Sequence, residues 1–126
     1  MNPLTREWLD KGSADLATAR RELRARLNPN YDAVCFHAQQ SVEKALKAVL
    51  QEHDAHIPKT HQLMDLLALC AKVEGSFLML QPDLMRLDDS ATRVKPRASR
   101  RPGLRSRRLR WLLLLSGIDL ARAKST

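Results

Sequence analysis

The segment YDAVCFHAQQSVEKALKAVL, residues 31–50, decides the fold class. Its apolar residues recur at helical spacing and share one side: Val34, Cys35, Ala38, Val42, Ala45, Leu46, Val49 and Leu50. The other side carries charged and amide groups: His37, Gln40, Glu43, Lys44 and Lys47. The pattern predicts an amphipathic helix over about residues 31–53. Its polar side is either a solvated surface or a site that handles a charged ligand.

Similar patterns before and after this segment predict three more helices. The first covers about residues 5–27, with its inward side formed by Trp8, Leu9, Leu16, Ala19, Leu23 and Leu27. The third covers about residues 61–72 after an N-cap at Thr60, with an inward side of Leu63, Leu66, Leu67 and Cys70. The fourth opens at Pro82, with an inward side of Leu84, Met85 and Leu87. Because short connections favour antiparallel neighbours, we expect an all-α, up-and-down bundle of four to five helices.

The composition agrees with a helical protein that works without a membrane. Aromatic residues make up only 4% of the 126-residue chain, whereas β-rich domains depend on them. Cys35 and Cys70 occupy apolar helical positions, which predicts reduced, buried thiols. Residues 1–12 lack a long apolar region, and the apolar run 111–118 is far shorter than the ~20 residues of a membrane span. We therefore expect a cytoplasmic protein.

The positive charge is concentrated in the last quarter of the chain. Residues 1–90 have 11 Lys/Arg and 13 Asp/Glu, a net charge of −2, whereas residues 91–126 have 11 Lys/Arg and one acid, a net charge of +10. Charge repulsion predicts a loop or disorder over residues 92–110, and residues 111–123 could form a final helix that is apolar all round. We divide the chain into a bundle, 1–93, and a basic tail, 94–126. The tail is a divergent or frameshifted sequence, a solvated linker or a nucleic-acid contact.

Three segments together resemble the HEPN family, small helical bundles named for nucleotide binding in higher eukaryotes and prokaryotes. They are REWLDKGSADLATARREL, the segment of residues 31–50, and IPKTHQLMDLL. The most specific elements are A-x-Q-x-x-E-K-x-L-K on the second helix and K-T-H before the third. The resemblance covers roughly residues 5–93. It departs at TRVKP, where Val94 and Lys95 stand in place of the tyrosine of the family's arginine–tyrosine–proline turn.

The resemblance implies a ligand-binding face and a partner. The site residues it indicates are Gln40, Glu43, Lys44, Lys47, Lys59 and His61. Family members are commonly encoded beside a small nucleotidyltransferase, often as a toxin–antitoxin pair, and we expect a homodimer that binds a nucleotide or RNA. Ribonucleases of the family carry an arginine four to six residues before a histidine, and this sequence has no such pair. A binding module is therefore favoured, with a ribonuclease using His61 or His37 and a protein-binding adaptor as alternatives.

The residues themselves support an anion site more than a metal site. Glu43 and Lys47 are four residues apart, in the order that pairs well on a helix. His61, placed after the Thr60 cap, would lie at a helix N-terminus, where free N–H groups attract anions. His53, His56 and His61 cluster without a fixed metal-ligand geometry, so we interpret them as surface histidines. We predict no metal and no cofactor.

Overall fold

The computed structural model describes the backbone of residues 2–93 and the side chains of residues 2–88, and that part of the chain is all-α. Its elements are α1 (Pro3–Leu23), α2 (Tyr31–Glu52), α3 (Leu63–Val73), a 3₁₀ helix (Gly75–Leu80) and α4 (Gln81–Arg93). The predicted helical bundle is confirmed. The proposed tail and the predicted helix over residues 111–123 lie outside the described residues. Within the described residues, no helix has the length and apolar character needed to cross a membrane.

The first helix is shorter at its end than predicted. Asn2 caps its start, because the Asn2 side chain accepts a hydrogen bond of 2.8 Å from the backbone N–H of Leu4. The helix ends at Leu23 rather than near Leu27. Leu27 lies in the connection and is 85% exposed, so its predicted inward position is wrong. The connection contains Asn28 with a φ of 47°, a left-handed conformation that a continuing helix does not permit.

Polar side chains close the turn between α1 and α2. The Asn30 side chain accepts a 3.1 Å hydrogen bond from the N–H of Ala33 and so caps α2. The Asn30 backbone N–H in turn donates a 2.6 Å hydrogen bond to the Glu22 carboxylate in the last turn of α1. These contacts tie the end of one helix to the start of the next, so α2 begins at Tyr31 as predicted.

The second helix lies at the centre of the bundle. Asp15 contacts His37 and Lys44, whereas Trp8, further back on α1, contacts Lys47, further along α2. The two helices are therefore antiparallel. α1 packs mainly on α2, while α3 and α4 pack on α2 and on each other. A helix covered from both sides is buried on most of its circumference.

Burial confirms the predicted core and revises the polar side of α2. All eight predicted inward residues of α2 are buried, as are the four of α3 and both leucines of α4. Met85 is 53% exposed, so its predicted inward position is wrong. Cys35 and Cys70 are reduced thiols buried in the core, as predicted, and the Cys70 thiol donates to the Leu46 carbonyl. Glu43 and Lys47 are also buried, so this part of the polar side is not a solvated surface.

The segment between α2 and α3 returns along the bundle to the middle of α2. It brings His61 beside Glu43, 18 residues earlier in the chain. The N-cap of α3 is Gln62, so the predicted cap at Thr60 is wrong and His61 lies just outside the helix. The Thr60 hydroxyl accepts a 3.1 Å hydrogen bond from the N–H of Gln62. Because threonine readily bonds a backbone group two residues on, it makes a turn before the helix instead of capping it.

Candidate anion-binding site

A carboxylate from α1 organises one flank of the polar side of α2. The Asp15 side chain lies 3.0 Å from Nδ1 of His37 and forms an ion pair with Lys44. The two basic residues are seven apart, which is close to two helical turns, so both point at the same strip of α1. All three side chains are mostly shielded from solvent. Lys44 is therefore already paired across the helix interface.

A second carboxylate, Glu43, organises the other flank. Its Oε1 atom lies 3.2 Å from Nζ of Lys47 and 2.6 Å from Nδ1 of His61. The Glu43 side chain is only 4% exposed, whereas the His61 side chain is 82% exposed. The predicted pairing of Glu43 with Lys47 is confirmed, and the buried carboxylate anchors an imidazole that reaches into solvent. We call Glu43, Lys47 and His61 the Glu43 cluster.

An aromatic ring extends the Glu43 cluster towards the start of α1. The Lys47 ammonium group lies 5.4 Å from the centre of the Trp8 ring, within the range of a cation–π contact. Trp8 also lines a cleft of about 220 Å³, which is formed by Leu4, Glu7, Trp8, Lys11 and Gln51. Lys47 therefore connects the cleft to Glu43.

The structure divides the six predicted site residues between several environments. Glu43 contacts both Lys47 and His61. Lys44 pairs with Asp15 instead. Gln40 is half-buried, one turn before Glu43 and Lys44 on α2. Lys59 is exposed two residues before His61.

Sequence reasoning missed Asp15 as a polar partner and treated Trp8 only as a core residue. The available signal for Asp15 was weak. It is an acid next to the inward positions Gly12 and Leu16 of α1, where a charge needs a partner on the facing helix. Nothing in the spacing along α1 indicated which residues of α2 would face it.

The arrangement leaves a small excess of positive charge. Lys44, Lys47 and Lys59 oppose Asp15 and Glu43, so the group carries a net charge of about +1 with both histidines neutral. A carboxylate can only accept hydrogen bonds, which places the Nδ1 hydrogen of His61 on the side of Glu43 and leaves Nε2 towards solvent. Such an imidazole can bind an anion when protonated or accept a proton when neutral. Among the described residues, no group of three or more His, Cys, Asp or Glu could hold a metal ion.

These features define a small α-helical bundle with a buried ionic cluster on its central helix. The chain matches the HEPN domain over residues 5–100 and belongs to the HEPN domain family. The family resemblance expected from residues 5–93 is therefore confirmed. Neither a curated protein nor a solved structure matches the chain.

Proposed function

We propose that this HEPN-domain protein is a binding module for a phosphate-bearing ligand, a nucleotide or RNA. It acts as a homodimer beside a nucleotidyltransferase, in a toxin–antitoxin pair. The observation that carries the proposal is the attachment of the exposed His61 imidazole, at 2.6 Å, to the buried Glu43 carboxylate. This contact fixes the ring at the surface with Lys59 two residues away. Protonated imidazole and ammonium groups are good partners for phosphate oxygens.

The pairing of Lys44 and Lys47 with carboxylates decides how the ligand would be held. Both ammonium groups already pair with carboxylates, so they set the local potential without supplying the outermost contacts. His61 and Lys59 are the exposed basic side chains of the site and make the direct contacts. Gln40 and Glu43 orient the surrounding groups. The interaction is mainly electrostatic and therefore weakens as salt concentration rises.

Calorimetric titration of the full chain with ATP and with short RNA at low salt tests this proposal. The His61→Ala and Lys59→Ala variants each lose binding by about fivefold or more, the scale of one charge-assisted hydrogen bond. Lys72→Ala is the matched control, because Lys72 is also an exposed lysine but lies in the last turn of α3. Equal affinity for wild type, His61→Ala and Lys59→Ala rejects the site.

A second function, metal-independent RNA cleavage, is favoured by the same Glu43–His61 contact. A carboxylate that orients Nδ1 leaves Nε2 free to take a proton from an RNA 2′-hydroxyl. The absence of the family's arginine–histidine pair argues against it. Incubation of the purified chain with RNA in EDTA separates the two functions, since a binding module leaves the RNA intact. Cleavage that disappears in the His61→Ala variant would establish the ribonuclease.

The proposed partner can be tested separately from the ligand. The proposal predicts a nucleotidyltransferase gene beside this one, and co-expression of the two proteins followed by size-exclusion chromatography then yields a joint complex. Elution of the two proteins as independent species rejects the partnership. The mass of the chain alone, measured by light scattering, tests the homodimer.

A further inference from the structure

The cleft beside Trp8 is too small for a whole drug-sized ligand. Its volume is about 220 Å³, and it lies between the first turns of α1 and the last turn of α2. Pockets that enclose such ligands usually measure about 300–1,000 Å³. The cleft therefore suits one ring-sized group, with the rest of the ligand outside.

The lining of the cleft favours a flat ring with hydrogen-bonding edges. Trp8 supplies an aromatic ring that has the Lys47 ammonium group over one face, Leu4 an aliphatic wall, and the Gln51 amide both a donor and an acceptor. The ion pair between Glu7 and Lys11, at 3.0 Å, completes the lining and is largely exposed. Aromatic stacking combined with a donor–acceptor pair is the way in which proteins recognise unpaired bases.

The cleft is joined to the Glu43 cluster through Lys47. The Lys47 ammonium group lies 5.4 Å from the Trp8 ring centre and 3.2 Å from Oε1 of Glu43, and the same oxygen lies 2.6 Å from Nδ1 of His61. These three distances together place the ring centre at most about 11 Å from His61. One ligand with a planar ring and a flexible phosphate chain can therefore contact both the cleft and the Glu43 cluster.

We infer that the cleft beside Trp8 takes the base of a nucleotide whose phosphates lie at His61 and Lys59. This inference rests on the proposed phosphate site. It adds a binding place for the base, which the phosphate site does not contact. It implies that the ligand is a free nucleotide or the end of a strand, since the base must leave its stacked neighbours to enter the cleft.

Trp8 itself reports on the inference. The chain contains two tryptophans, so the Trp111→Phe variant makes Trp8 the sole tryptophan fluorophore. In that full-length variant, ATP and adenosine change the Trp8 fluorescence, whereas inorganic tripolyphosphate binds by calorimetry and leaves the fluorescence unchanged. ATP binds about tenfold or more tightly than adenosine, because it adds the charged contacts.

Substitution of Gln51 tests the base contact without removing the ring. Gln51→Ala weakens ATP and adenosine binding by about fivefold or more and leaves tripolyphosphate binding unchanged. Gln62→Ala is the matched control, because Gln62 is an exposed amide outside the cleft. Trp8→Phe keeps an aromatic ring beside the core, and thermal melting shows that each variant is folded.

The outcomes separate the base cleft from the proposed phosphate site. ATP binding that needs His61, with no change in Trp8 fluorescence and no effect of Gln51→Ala, overturns the base cleft and keeps the phosphate site. Adenosine binding at Trp8 without any binding of tripolyphosphate keeps the base cleft and overturns the phosphate site. Failure of all three probes overturns both.

Discussion

Asp15 and His37 are 22 residues apart in the chain, and their side chains meet at 3.0 Å between α1 and α2. The same carboxylate pairs with Lys44, which lies about two helical turns after His37 on α2. A charge in a largely shielded interface is costly unless it is paired. Sliding α1 along α2 by one turn would separate these groups, so the contact helps to select one register of the helical hairpin.

Replacement of Asp15 by asparagine tests this role. Asp15→Asn keeps the shape of the side chain but removes the charge that faces His37 and Lys44. We expect a loss of about 1–2 kcal/mol in the free energy of unfolding, because Lys44 is left in a partly buried position without its counter-charge. Urea denaturation measures it. Asp10→Asn, at an exposed position of α1, should change stability by less than about 0.5 kcal/mol. Equal effects of the two substitutions would contradict the proposed role.

The local parts of this architecture were predictable from sequence, and the parts that depend on how helices face each other were not. The eight inward positions of α2 follow from its 3.6-residue period, and the pairing of Glu43 with Lys47 follows from their spacing. The pairing of Lys44 with Asp15 depends on the register of α1 against α2, which no pattern within one helix encodes. Lys44 stays a predicted site residue, but its pairing with Asp15 across the helix interface was not predicted.

The ends of elements were predicted less well for a related reason. Leu27 continues the apolar spacing of α1, but the chain turns away after Leu23. Thr60 has the chemistry of an N-cap, but its hydroxyl bonds the N–H of Gln62 before the helix begins. The left-handed residue Asn28 moved the first boundary away from the position that periodicity predicted, and the side-chain turn at Thr60 moved the second away from the position that cap chemistry predicted.

The Glu43 cluster should contribute more to stability than an exposed pair of the same spacing. Glu43→Gln leaves Lys47 buried without a counter-charge, and we expect a loss of about 2–4 kcal/mol in the free energy of unfolding. Glu7→Gln is the matched control, because Glu7 and Lys11 are also four residues apart on a helix but are well exposed. Its expected cost is about 0.3–0.5 kcal/mol. Chemical denaturation of both variants measures the difference, and a cost for Glu43→Gln as small as that for Glu7→Gln would show that burial adds nothing to this pair.

Two leucines that look alike in sequence should differ sharply in their contribution to stability. Leu46 is fully buried on α2, so Leu46→Ala should cost about 2–5 kcal/mol through lost transfer energy and a cavity. Leu27→Ala should cost less than about 0.5 kcal/mol, because its side chain already faces solvent. Thermal or urea unfolding compares them directly. A large cost for Leu27→Ala would place that side chain in the core after all, against the structure.

The end of α2 offers a substitution that should stabilise the protein. Asp54 has a φ of 53°, and it follows the C-cap His53 in a Schellman arrangement, with the N–H of Ala55 donating to the Leu50 carbonyl at 2.9 Å. Glycine adopts this left-handed conformation without strain, and Asp54→Gly also removes a negative charge from a helix C-terminus. We therefore expect a gain of about 0.5–1 kcal/mol in the free energy of unfolding.

Asp10→Gly is the control for this substitution, because it introduces the same change within α1, where glycine should cost about 0.3 kcal/mol more than aspartate. Urea denaturation of the two variants should therefore give shifts of opposite sign. A loss of stability in Asp54→Gly would mean that the aspartate side chain makes a contact worth more than the strain of its backbone. The left-handed residue would then be held in place by its side chain, and the turn that returns the chain to Glu43 would depend on it.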